Sequence, residues 1–332
     1  MKFSALYFAA TIAALSAHAG MVSSPAPWKG ESETSFSITP HIGLMEGMTH
    51  EYVFLTVPSA GYDGTLSRLD WKIKNVLAGG LEGGARWGRF TINGGIWTSL
   101  NEGGGRMKDY DWAEIPEMAE NEGFSYSETE SNIDLDEFYA FDVNAGYDFL
   151  RMDSGLTASA FVGARYETWR WSAYGLSGFS GFPEKGLVDE ESEDPSTKVI
   201  GYKQEYLFGY AGLRAGWSIG IFNLNAYAAW APGFHVEDND FHCLRETIFE
   251  TDNDYSSHIM LYGVSASAAL SDSLTVTLAW EALNSGVART SGTQTGEEDD
   301  EDEEENQYPD ASNKSGIKMR NSFFSVSVGY VF

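Results

Sequence analysis

The chain has 332 residues, with 49 Asp and Glu against 21 Lys and Arg; its formal net charge of −28 excludes a nucleic-acid binder, whose contact surface must be basic. A single cysteine, Cys243, excludes an internal disulfide framework. Aromatic residues reach 14% and glycines number 36, while no helical apolar periodicity and no later run of about 18 apolar residues occurs, which excludes a helical bundle and a helical membrane anchor.

The chain opens with Met1-Lys2, an alanine-rich apolar run from Phe3 to Leu15, and the small-x-small site Ala17-His18-Ala19. This pattern is a secretory signal over residues 1–19, too short for a spanning helix. Residues 20–332 read as one all-β domain, because what recurs is alternation. Ten strands are expected: 34–54, 66–84, 90–101, 133–149, 156–173, 199–218, 222–242, 255–270, 274–288 and a last one ending at Phe332. In the last, Phe324, Val326, Val328, Tyr330 and Phe332 share one face, with Ser325, Ser327 and Gly329 on the other. Apolar outside, small or polar inside and an aromatic terminus is the pattern of a transmembrane barrel strand. The connections alternate between short turns, such as Arg151–Gly155 and the one at Gly220, and long polar segments, such as 102–131, 174–197, 243–254 and 289–319. The predicted fold is a ten-stranded antiparallel transmembrane β-barrel that extends above the outer membrane, with both chain ends on the periplasmic side and the long segments outside.

Two acidic clusters fall at the outer rim. In Phe234–Cys243, strand alternation places Asp238, Asp240 and His242 on one face, where a carboxylate can orient the imidazole of a general base. Asp109 and Asp111, spaced the same way, present two further carboxylates. Cys243 follows His242 directly and therefore points to the opposite face, against a Cys/His nucleophile. The run Glu297–Glu305 reads as a solvated, self-repelling loop. Asp252-Asn253-Asp254 lacks the other ligands of a calcium loop, so no metal is assigned. These residues leave open an enzyme or a non-enzymatic barrel, either an adhesin or a porin with an acidic mouth.

Five blocks narrow the choice: Ser67–Lys72 (SRLDWK), Trp97–Leu100 (WTSL), Gly105–Trp112 (GRMKDYDW), Ile200–Gln204 (IGYKQ) and Glu237–His242 (EDNDFH). In order and content they resemble the omptins, outer-membrane aspartyl-type endopeptidases of Gram-negative bacteria built as ten-stranded barrels. The resemblance implies that Asp109 and Asp111 hold an attacking water and that Asp240 and His242 form the dyad that deprotonates it. It implies that Glu51, in Met48–Phe54, and Asp238 receive the basic side chain before the scissile bond. The expected activity is cleavage of cationic polypeptides next to Arg or Lys, at the cell surface, by a monomer with no cofactor. Omptins also bind lipopolysaccharide through basic outer-wall residues. Here Glu205 stands where the family has Arg, and Ala164–Trp169 lacks the usual basic–acidic pattern, so a weaker dependence on lipopolysaccharide is expected; Arg165, Arg170 and Arg214 are the basic residues left to serve that wall.

Overall fold

A chain whose side chains alternate between lipid and interior satisfies its backbone in one way, as strands closed into a ring, because an open sheet edge does not survive in hydrocarbon. The computed structural model describes residues 34–113, 125–182, 187–255, 257–289, 295–296 and 312–332. The expected leader and the acidic run 297–305 lie outside the described residues. The strands in chain order are β1 (Thr34–Val57), β2 (Tyr62–Trp87), β3 (Phe90–Ser99), β4 (Gly104–Ala113), β5 (Ser125–Arg151), β6 (Leu156–Phe182) and β7 (Leu187–Ile219). They continue with β8 (Phe222–Ala231), β9 (Phe234–His242), β10 (Thr247–Tyr255), β11 (Ile259–Ala269), β12 (Leu274–Ser285), the short β13 (Ala288–Arg289) and β14 (Thr295–Gly296), and β15 (Ser312–Val331). A single 3-10 turn, Pro58–Ala60, is the one helical element among the described residues.

All pairings are antiparallel. β3 with β4, β8 with β9 and β10 with β11 are broken halves of single staves, so ten staves form the wall, which closes where β15 pairs with β1. The breaks fall at 100–103, at Pro232-Gly233 and, among the described residues, at 257–258. Turns at the opposite end are tight: Gly155 has φ of 87° and a Cβ there would lie 2.3 Å from the Ser218 carbonyl oxygen, while Gly220 has φ of 59°.

The outward face of β15 is the apolar series read in the sequence, with Phe324, Val326, Val328, Tyr330 and Phe332 all exposed. Ile38, Ile42 and Leu44 on β1, Phe141, Val143 and Phe149 on β5, and Leu213 and Trp217 on β7 continue this belt around the wall. An aqueous protein would not leave such a band bare; a bilayer covers it. The staves run far past it. β7 has 33 residues, against the roughly 9–11 that cross a bilayer.

Much of that extra height comes from segments expected as loops. The described residues of 102–131, 174–197 and 243–254 supply β4, the start of β5, the end of β6, the start of β7, and β10. Their polar residues form cross-strand pairs on a wall wet outside. Lys108 on β4 meets Glu128 on β5 at 3.0 Å, and Arg106 meets Glu130. Apolar alternation cannot register strands held together in this way.

The interior is packed. Trp71, Trp97, Phe138, Trp169, Trp171 and Tyr202 are each at most 2% exposed. Trp71 stacks on Tyr202 with centroids 5.1 Å apart, and Trp169 on Trp171 at 5.8 Å. Below this aromatic layer, Arg165 is ringed by carboxylates, with Asp142 at 3.1 Å, Glu281 at 2.9 Å and Glu167 at 3.3 Å. Arg165 and Arg214, suggested by sequence for the lipid-facing wall, therefore point into the barrel and cannot reach lipid. Arg214 lies over the Phe161 ring, 4.7 Å from its centroid.

Candidate active site

The rim cleft is built by register. Glu51 on β1 is opposite Leu69 on β2, and Leu69 is opposite Asp109 on β4, so Glu51 and Asp109 lie in one row on one inner wall. Asp111, two residues up, is opposite Ser67. On the far wall β9 runs between β7 and β10, with Asp238 and Asp240 buried and His242 half-buried. The two walls bound a cavity of about 410 Å³ lined by Glu51, Ser67, Asp109, Asp111, Asp240, His242, Arg245 and Phe249. The structure thus brings together five of the six residues singled out by sequence. Asp238, the sixth, sits deeper, where the Tyr202 hydroxyl donates to its carboxylate at 3.2 Å.

Tyr202 belongs to a chain of side chains that crosses the barrel floor. Gln204 donates to the Tyr202 hydroxyl at 2.5 Å, and Thr49 on β1 donates to the Gln204 carbonyl at 3.0 Å. This network holds β1 and β7 at a fixed span beneath the cleft, and hence fixes Glu51 relative to Asp238.

Asp240 Oδ2 lies 2.8 Å from His242 Nε2. Arg245, on the turn after β9, approaches His242 Nδ1 at 2.6 Å. A guanidinium only donates, so Nδ1 is the accepting nitrogen and Nε2 carries the proton given to Asp240. The Phe249 ring meets the imidazole edge-on, with centroids 5.2 Å apart. Cys243 is half-buried, its thiol 3.7 Å from the Phe241 carbonyl, and does not line the cavity.

The carboxylates crowd one another in a partly dry space. Burial, then the charges of Asp240, Asp238 and Asp109, hold Glu51 well above the usual carboxylate range. Burial and the neighbouring Asp111 do the same to Asp109, against the pull of Arg245 and Ser67. Asp111 is raised too, by the protein packed round its carboxyl group although the residue opens to the mouth; Ser67, Arg245 and His242 oppose the rise. Asp238 is pushed up to about 7, chiefly by burial. One oxygen each of Glu51, Asp109, Asp238 and Asp240 is buried without a hydrogen-bond partner.

Sequence reading missed Arg245, Phe249 and the Thr49–Gln204–Tyr202 floor. Arg245 offered one signal, a lone cation three residues past His242 in an acidic stretch. The floor residues sit in the quoted blocks, but their joint role exists only once β1 and β7 face each other.

A closed barrel with an apolar belt, and a cleft of carboxylates with one Asp–His pair at its rim, defines an outer-membrane barrel built to do chemistry above the bilayer. The chain matches the model of the Omptin family over residues 32–332 and belongs to that family. It is 30% identical over 227 residues to a plasminogen activator of Yersinia pestis, covering 66% of each chain. It is 29% identical over 221 residues to the outer membrane protease OmpP of Escherichia coli, covering 64% of this chain and 65% of that one. The matched stretch thus spans just under two thirds of these curated relatives. The fold agrees with the crystal structure of outer membrane protease OmpT from Escherichia coli, with a TM-score of 0.71 at 19% identity, covering 90% of this chain and 97% of that one. The protein is accordingly an outer-membrane barrel of the omptin family.

Proposed function

We propose that the protein is a surface endopeptidase that hydrolyses cationic polypeptides next to Arg or Lys, acting as a monomer through a water activated by Asp109, Asp111, Asp240 and His242. The observation that carries this reading is that all four side chains line one cavity open to the outside. Water held by Asp109 and Asp111 attacks the scissile carbonyl, and His242 takes its proton at Nδ1, the nitrogen not committed to Asp240. Arg245 donates to Nδ1 in this structure, and as an exposed side chain on a turn it is free to yield that nitrogen to the water. Asp240 orients the ring and stabilises the imidazolium that forms. No covalent intermediate is needed. Glu51 and Asp238 receive the basic side chain, and the incoming cation relieves the mutual repulsion that keeps these carboxylates from ionising together.

The packed lumen argues against a porin, since a Trp and Tyr layer lies between the mouth and the membrane-level interior. On the β6–β7 wall Glu205 is bound by Lys203 at 2.5 Å and by the Tyr166 hydroxyl, and Arg170 meets Glu137 at 3.5 Å. These internal pairs support the expectation of weaker lipopolysaccharide dependence through that wall. The test of function is an internally quenched Arg-Arg peptide incubated with the refolded barrel. His242→Ala should cut turnover by about 10²–10⁴-fold, with heat-modifiable migration intact. Equal rates from the two proteins would refute the reading.

A further inference from the structure

The rim cavity changes character with height. Its lower inner row, Glu51, Leu69, Asp109 and Thr129, runs by register across β1, β2, β4 and β5. Two residues up, the next row reads Val53, Ser67, Asp111 and Ser127. Its one carboxylate stands between two serines, and its β1 end is apolar. Leu66, beside Ser67, also lines the cavity and is backed by Leu55 and Val57. On the far wall Phe249 is opposite Asp240, its ring edge-on to His242, and Arg245 sits on the turn above them.

An extended peptide turns successive side chains to opposite sides. With the basic side chain before the scissile bond directed down to Glu51 and Asp238, the side chain after it is directed up, to the level of Val53, Leu66, Phe249 and Arg245. That level offers apolar carbon on both walls and a cation on one. Turned away from His242 Nδ1, the guanidinium still stays at the mouth, because the Cys243–Glu246 turn fixes its backbone. A second basic side chain arriving there meets a like charge, whereas an aliphatic one covers Val53 and Leu66 and sheds water. Glu191 on β7 is the competing feature. Its charge adds to the burial that raises Asp111, but it does not line the cavity.

We propose that Val53, Leu66, Phe249 and Arg245 form a second subsite, which selects an apolar side chain after the scissile bond and disfavours a second basic one. The proposal rests on the endopeptidase reading and names the sequence that endopeptidase prefers: a single basic residue followed by an aliphatic one, in place of a basic pair. Selection has an attractive and a repulsive part. The three apolar side chains supply the first, and the guanidinium, the one Lys or Arg lining the cavity among the described residues, supplies the second. Ser127, opposite Asp111 on β5, adds no charge to receive a base at that level.

The experiment uses the refolded mature barrel and three internally quenched peptides that place Arg before the bond to be cut and differ only in the residue after it: Leu, Ala or Arg. Salt of about 0.3 M screens the long-range pull of the acidic chain on any added cation. Mass spectrometry of the products reports which bond is cut. At the bond after the first Arg, kcat/KM should fall in the order Leu, Ala, Arg, with Leu about tenfold above Arg. Arg245→Glu should raise Arg relative to Leu by about tenfold, and Leu66→Ala should narrow the ratio of Leu to Ala about fivefold. Glu191→Gln should keep the wild-type order. Heat-modifiable migration reports that each variant is folded. Equilibrium binding of the same peptides to His242→Ala reads the subsite without turnover and should follow the same order. A wild type that cuts fastest between two Arg residues, an order unmoved by Arg245→Glu, or a changed order in Glu191→Gln would overturn the subsite. A barrel that cuts none of the peptides would refute the endopeptidase reading, and the binding order would still decide the subsite, with Arg bound tightest overturning it.

Discussion

Two carboxylate clusters lie inside this barrel, one at membrane level and one at the rim, and their hydrogen bonding is opposite. At membrane level Asp142 accepts from Arg165 and from the Tyr210 hydroxyl, which lies 2.8 Å from both its oxygens. Glu167 accepts from Arg165 and from the Trp169 indole at 3.1 Å, and Glu281 from Arg165 and the Tyr227 hydroxyl. At the rim Glu51, Asp109, Asp238 and Asp240 each keep a buried oxygen without a hydrogen-bond partner, and the carboxylates crowd one another, with the exposed Arg245 donating to His242 and to none of them. A buried polar group left unsatisfied costs free energy, so the lower cluster is arranged for the fold and the upper one for something that arrives from outside. Charge and burial alone would not separate the two; the partners do.

The contrast can be broken most directly at its centre. Arg165→Ala leaves three carboxylates buried together without their cation, and should destabilise the barrel by roughly 3–5 kcal/mol, read as a lower urea midpoint for loss of heat-modifiable migration. Substituting rim carboxylates should do the reverse. Glu51→Gln/Asp238→Asn relieves repulsion, so the midpoint should hold or rise while the preference for Arg over Gln at the cleaved position falls by about two orders of magnitude. A double variant that keeps the wild-type preference would dissolve the assignment of that pocket, whatever its midpoint.

Asp238 sharpens the comparison through pH. Burial raises it from its ordinary range to about 7, so it is mostly neutral at pH 6 and mostly ionised at pH 8. Only the ionised form pairs with a guanidinium. The kcat/KM for an Arg substrate should therefore climb between pH 6 and 8, and Asp238→Asn should flatten that rise. The same shift has a stability consequence of fixed sign. A carboxylate whose folded value is raised contributes stability below its unfolded value, and that contribution is lost as pH rises through about 7. The wild-type barrel should lose more stability than Asp238→Asn over that window. Parallel stability profiles would show that Asp238 is already ionised in the folded protein.

Most of the architecture was legible because a bilayer enforces strict alternation: the belt strands, the tight turns at 151–155 and 220 and the closed ring all follow from period-two patterns. The same rule placed Asp238, Asp240 and His242 on one face of β9 and sent Cys243 to the other. Where the wall leaves the membrane the alternation stops being apolar, and β4, β10 and the upper parts of β5, β6 and β7 read as loops, though they pair in register as sheet, with Lys108–Glu128 and Arg106–Glu130 joining β4 to β5. Glu51 was not identifiable from its own surroundings; the family resemblance alone marked it, and burial among three other carboxylates gives it a physical reason. Arg165 read as a wall residue because one strand shows which residues share a face, not whether that face looks in or out.

Among the described residues Arg245 is the one Lys or Arg lining the rim cavity, and its removal is the finest test of how the two clusters differ. It donates to His242 Nδ1 at 2.6 Å, and its charge pulls Asp109 and Asp111 down against burial. The groups facing it are His242 on its own hairpin and Asp109 and Asp111 across the cleft on β4, with Asp240 one step below and Glu51 on β1. Unlike Arg165, it is exposed and sits on a four-residue turn, Cys243–Glu246, so losing it should leave the urea midpoint unchanged. Without that charge Asp109 and Asp111 both hold their protons more readily. For Arg245→Gln the acid limb of the rate profile should move to higher pH, while the plateau above it changes by less than about tenfold in kcat. Arg245→Lys, keeping the charge but not the planar donor, should restore most of the limb's position. A limb that stays in place in Arg245→Gln, with the barrel folded, would mean that the guanidinium spends its time in solvent and does not act on the rim carboxylates.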